Sequence, residues 1–195
     1  MLKLKWNIDK ESGMNKDIKV ELLKHPTEQD WLFCKTCTLN TVGKSSTTLP
    51  KDEWMVKLVE SEHSPLRELP YAFKLTIPYY VSTHLVRHHV GVNHYVQSQR
   101  NDRQSNYDRN KAPQDAMVNH IISMNAQSFV HMAHARLCYQ AEDLTRWVVH
   151  EMVRLAIETN PEMKSVLVPK CQYRNGICTE FNCCGYNNKF LTPTS

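Results

Sequence analysis

Apolar and polar positions along the chain follow two periods. Tyr71-Ala72-Phe73-Lys74-Leu75-Thr76-Ile77 alternates with a period of two and predicts a strand, which Pro78 should end. Ile18-Lys19-Val20-Glu21-Leu22-Leu23 alternates more weakly and predicts an earlier one. Thr27 ahead of Glu28-Gln29-Asp30 has the chemistry of an N-cap, so a helix is expected over 27–37. Gly43, Ser45, Ser46 and Pro50 mark a loop over 40–50. A second helix over 52–61 follows, with Trp54, Val56, Leu58 and Val59 as its apolar face. Leu85, Val86, Val90 and Tyr95 favour a helix over 81–100, and the polar stretch 101–112 a loop. Met117, Ile121, Met124, Phe129 and Met132, then Leu144, Val148, Met152 and Leu155, predict a long helical stretch over 114–158 with a break near 133–135. After Pro161 the chain turns into a cysteine-bearing tail, which divides it into a main domain over 1–165 and a tail over 166–195. The class is α+β, with more helix than strand.

Composition narrows the function. A chain of 195 residues suits one domain, and 41% hydrophobic residues suffice for a packed core. A net charge of +4 attracts a phosphate-bearing ligand but is too small to indicate a nucleic-acid polymer as partner. No apolar run approaches the roughly 20 residues that span a bilayer, so no membrane partner is expected. Met1-Leu2-Lys3-Leu4-Lys5-Trp6 lacks the apolar run of a signal peptide, which points to a cytoplasmic protein whose seven cysteines are thiols or metal ligands. Dinucleotide-binding Gly-x-Gly-x-x-Gly, the Walker loop, His-Glu-x-x-His and the Gly-x-Ser-x-Gly elbow are all missing.

Three clusters carry candidate chemistry. Read on a helix, His84, Arg87, His88 and Asn93 share a polar stripe, which continues into Ser98-Gln99-Arg100. With His89 beside them, two arginines and three histidines with no acid among them suit either a phosphate grip or a solvated basic face. Arg109, Asn125 and Arg136 form the second cluster. Each alone reads as a surface or capping residue, although Ser123-Met124-Asn125-Ala126-Gln127-Ser128 is a polar run inside an otherwise buried helix. Cysteines form the third. Cys34 and Cys37 read as core residues, while Cys171, Cys178, Cys183 and Cys184 crowd the tail. A structural zinc site is one reading of that crowd, but the spacing is not a pair of Cys-x-x-Cys knuckles and no metal is favoured.

The order of these pieces resembles the flavin-dependent thymidylate synthases. That family carries Arg-His-Arg, seven residues, then Ser in a Ser-Gln-Arg-Tyr or Ser-Gly-Arg-Tyr run. Here Arg87-His88-His89 precedes Ser98-Gln99-Arg100. His63 and Glu68 stand before the strand, as the family's His and Glu do. Arg109 lies four residues before Pro113, Asn125-Ala126-Gln127-Ser128 begins twelve after it, and Arg136 falls eleven after Asn125, all as in the family. The resemblance covers roughly residues 18–150. The sequence departs from it at His89 and Gln127, where the family has Arg, and at Asn101, where it has Tyr. It also departs at Gln140, where a flavin-side His is usual, in one extra residue before Ser98, and in the short connector to Arg109.

The resemblance implies a small antiparallel sheet flanked by long helices, in a homotetramer with active sites where subunits meet. It implies methylation of dUMP at C5, with methylenetetrahydrofolate as carbon donor, FAD as cofactor and NADPH as reductant. Arg136 is the implied catalytic residue. His84, Ser98, Gln99, Arg100, Arg109 and Arg136 would bind dUMP, and His63, Arg87, His88, His89, Asn125, His131 and Gln140 would line FAD. Two alternatives stand beside it: the departures suit a related C5 modification such as hydroxymethylation, and the tail cysteines suit a non-catalytic or metal-stabilised nucleotide-binding protein.

Overall fold

The structure, a computed structural model, describes residues 17–104 and 107–186. The opening Met1–Trp6 segment and Asn106 of the polar loop lie outside the described residues. Four antiparallel strands form one sheet in the order β1-β2-β4-β3: β1 Lys19–Lys24, β2 Pro70–Pro78, β3 Val92–Val96 and β4 Met117–Asn125. Helices α1 Glu28–Asn40, α2 Asp52–Glu60, α3 Tyr79–Leu85, α4 Ala126–Arg136, α5 Asp143–Thr159 and the single turn α6 Lys170–Tyr173 complete the α+β chain. Among the described residues, no helix is long and apolar enough to cross a membrane.

Local signals explain most elements. Thr27 and Asp30 close a capping box at the start of α1, with Thr27 N–H donating to the Asp30 carboxylate at 2.8 Å. The inward set of β2 (Tyr71, Phe73, Leu75 and Ile77) is fully buried. Phe129 of α4 packs on it, with ring centroids 5.2 Å from Tyr71 and 5.4 Å from Phe73. Helix α5 buries Val148, Val149, Met152, Val153 and Ala156. Its outer face carries Arg154 between Glu151 and Glu158. Val166 and Leu167, just past the main segment, also belong to the core.

Two expected helices are replaced. The helix over 81–100 stops at Leu85, and after a turn the chain becomes β3. Gly91 sits at φ +68, a conformation that L side chains resist, and it reverses the chain into Val92–Val96. The polar stripe of a continuous helix therefore does not exist: Arg87, His88 and His89 lie in the turn and Asn93 in a strand. The extra residue before Ser98 needs no helical bulge.

The long helix over 114–158 is three elements, β4, α4 and α5. In β4 Val118, His120, Ile122 and Met124 face inward, and the imidazole of His120 hides a period of two from a hydrophobicity count. Asn125 is the N-cap of α4, its side-chain oxygen accepting the Ser128 N–H at 2.9 Å. The polar run 123–128 is thus a helix start rather than a helix interior.

Candidate functional site

The turn 86–91 lies between α3 and β3, over the C-terminal end of α4. Arg136, in the last turn of α4, is half-buried and donates from Nε to His88 Nε2 at 2.8 Å and from Nη2 to the His84 carbonyl at 3.0 Å. A guanidinium only donates, so His88 Nε2 carries a lone pair and its neutral ring holds the proton on Nδ1. Burial, reinforced by Arg136, brings the His88 pKa down to about 4. Burial and the neighbouring Arg87 guanidinium lower that of Arg136. Among the described residues, no carboxylate pairs with Arg87 or Arg136. Two adjacent guanidiniums without a counter-charge repel each other, and an anion placed between them removes that repulsion.

His84 is held from the other side. Thr145 Oγ1 donates to Glu142 at 2.7 Å, so it can only accept from His84 Nδ1, 2.9 Å away. That leaves His84 Nε2 as the ring's second polar atom.

Below the turn runs a buried chain that the sequence reading missed. His94 Nε2 lies 2.7 Å from the His88 carbonyl, so it must donate. His94 Nδ1 is then an acceptor for His120 Nε2–H at 3.0 Å, and His120 Nδ1 accepts from the Ser82 hydroxyl at 3.1 Å. One direction of donation runs from Ser82 through His120 and His94 to the turn. His120 is fully buried, and burial followed by His94 holds its pKa down to about 4. The only cue in the sequence was a histidine at an inward position of an alternating segment.

On the far side of the turn is an open cleft of about 410 Å³ lined by Arg67, His89, Asn93, Ser123 and Asn125, with Gly91 at its wall. A guanidinium, an imidazole and two amides suit an anionic or acceptor-rich ligand. Arg67 had no motif to announce it. A Cβ on Gly91 would overlap Ser128 Oγ, so only glycine fits there. Ser128 in turn donates to the Val90 carbonyl at 2.8 Å and ties the turn to α4.

The remaining expected residues fall into separate groups. Ser98, Gln99, Arg100 and Arg109 share the loop after β3. Ser98 Oγ accepts the Arg100 N–H at 3.3 Å, Arg100 pairs with Asp102 at 2.6 Å, and Arg109 N–H donates to Asn101 at 2.8 Å. Tyr107 donates to Gln99 and Gln104 to the Ser98 carbonyl. His131 lies 3.7 Å from Glu62 and 3.1 Å from Gln127, on the flank of α4, and His63 follows Glu62. Gln140 donates to the Asn182 carbonyl at 3.0 Å, so its contact is with the tail. The structure thus joins His84, His88 and Arg136, and separately His89 and Asn125. Ser98, Gln99, Arg100, Arg109, His131 and Gln140 have contacts of their own.

The sequence matches no protein-family model and no curated protein. The fold is similar to solved structures of a UMP/dUMP methylase PolB from Streptomyces cacaoi. The one bound with 5-Br dUMP has a TM-score of 0.61 at 15% identity, covering 78% of this chain and 97% of that one. The one bound with 5-Br UMP has a TM-score of 0.57 at 15% identity, covering 79% and 97%. At that identity the likeness is one of fold.

Proposed function

We propose that the chain is a flavin-dependent thymidylate synthase that methylates dUMP at C5. The observation that carries this reading is the Arg87–Arg136 pair, two guanidiniums without a carboxylate partner among the described residues, one of them fixed by a neutral His88. The likeness in fold to a UMP/dUMP methylase supports it.

In this reading Arg136 faces the uracil carbonyl oxygens and stabilises the negative charge that develops as C5 becomes nucleophilic. Its contact with the His84 carbonyl and His88 Nε2 fixes the guanidinium before substrate arrives, so little reorganisation is needed during reaction. Ser98, Arg100 and Arg109 take the phosphate, with Arg100 exchanging Asp102 for it. Arg67, His89 and Asn125 hold FAD in the cleft, assisted by Arg87 from the turn. When bound and reduced by NADPH, the flavin would supply the two electrons that bring the one-carbon unit of methylenetetrahydrofolate to the methyl level, leaving FAD to be reduced again. The C5 proton leaves, and tetrahydrofolate is released. A homotetramer would close the open side of the cleft.

The test is incubation of purified protein with FAD, NADPH, methylenetetrahydrofolate and dUMP, and identification of the product by mass. dTMP is expected, with a flavin spectrum that changes when dUMP is added. A hydroxymethyl product would keep the site and change the reaction. A protein that binds neither flavin nor dUMP would overturn the proposal.

A further inference from the structure

Four cysteines from three stretches of chain line one small, nearly closed cavity: Cys138 after α4, Cys171 in α6, and Cys178 and Cys184 in the following loop. Its volume is about 10 Å³, the room of one ion or one water. Burial raises the Cys138 and Cys171 thiols. Among the four, Cys138 and Cys171 each lie near Cys184. Cys183 is different: it is exposed, and its sulfur accepts the Gly185 N–H at 3.3 Å within its own turn.

The segment that carries these residues has little else to hold it. Among the described residues beyond Tyr173 there is no helix or strand, Phe181 is fully exposed and Ile177 is 48% exposed. Its anchors are the bond from Gln140 to Asn182 and the tilted ring contact of Tyr186 with Tyr139, with centroids 4.9 Å apart. A segment without an apolar core needs a staple.

From this geometry we propose that Cys138, Cys171, Cys178 and Cys184 bind a structural zinc ion, with Cys183 excluded. Zinc on four thiolates requires bonds of about 2.3 Å, which put the sulfurs about 3.8 Å apart. No three of the described side chains already hold a ligating arrangement, so binding requires the loop to draw in. Open space around Gly185, at φ +75, and the left-handed pair Asn175 and Gly176 between Cys171 and Cys178 leave room for that. Binding releases the four thiol protons to solvent and leaves a net charge of −2 on the cluster. Lys170, which lines the same cavity, offsets part of that charge, while Glu180 opposes it.

The test uses the full chain purified without added chelator. The expected results are one zinc per chain and, after exchange, a cobalt(II) spectrum with thiolate charge-transfer and tetrahedral bands. Cys138→Ser and Cys184→Ser should weaken zinc binding about a hundredfold, while Cys183→Ser leaves it unchanged. Retention of zinc by Cys138→Ser, or equal loss in Cys183→Ser, would overturn the assignment. So would wild-type protein that holds no zinc when zinc is supplied to its reduced thiols. The cobalt spectrum is read on the wild-type chain, so it stands even if a serine variant fails to fold. None of these outcomes bears on the nucleotide site.

Discussion

Replacing His120 with glutamine should flatten the acid limb of the stability profile. His120 is fully buried and stays neutral to about pH 4, whereas an unfolded histidine titrates at 6.5. In the window between these values the unfolded chain takes up a proton that the folded one refuses, so stability falls as pH falls. The stability is present in full above 6.5 and has been lost by about pH 4. The gap between the two pKa values makes this contribution about 3 kcal/mol. His88 is held down to about 4 as well, so the wild-type slope should reach at least about two protons, near 2.7 kcal/mol per pH unit. Glutamine keeps a donor and an acceptor between Ser82 and His94 but does not titrate. The variant should lose about one proton, 1.4 kcal/mol per pH unit, from the slope of unfolding free energy against pH. Urea unfolding at closely spaced pH values across this window measures that slope, independently of any fixed loss from imperfect packing. An unchanged slope would refute the relay, because His120 would then titrate alike in both states.

Other expectations follow from single contacts. Arg136→Ala should weaken dUMP binding about 10- to 100-fold, the worth of one charged hydrogen bond, with FAD still bound; calorimetry and the flavin spectrum read the two separately. Gly91→Ala should destabilise by about 2–4 kcal/mol in denaturant unfolding, through positive φ and displacement of the Ser128–Val90 bond. Tyr71→Phe should raise stability by about 1 kcal/mol: the hydroxyl is buried without a partner among the described residues, while the ring packing survives.

Elements whose signals are local were legible in the sequence. The Thr27–Asp30 box, the alternation of β2, the loop over 40–50 and the Asp52 helix all stand as expected, to within a residue or two. The failures share a cause. In 81–100 and 114–125 the apolar residues are few enough to satisfy either period, and the deciding residues are polar: Gly91 reverses the chain, and Asn125 caps a helix. His120 escaped because its inward position has meaning only once His94 on the neighbouring strand supplies a partner, 26 residues away. Arg67 escaped for the same reason, since its cleft is made of residues from three other segments.

The Arg87-His88-His89 run takes a different geometry once its helix is replaced by a turn. On a helix, three consecutive residues point in three directions around one axis, and no two of them share a ligand. In the turn they divide between two sites: His88 goes in to Arg136, and His89 goes out to the cleft with Asn125 and Arg67. The strand that follows sets the distance to the next motif. His94 holds the turn, and Ser98 is four residues further along, so extended backbone separates them by at most about 13 Å. On the proposed reading, the loop that takes the phosphate thus begins no more than that distance beyond the residue that holds the turn. An insertion in β3 would shift every inward side chain to the other face, detach His94 from His120, and carry the loop away from Arg136. The spacing between Arg87 and Ser98 is thus set by strand register and not by helical turns.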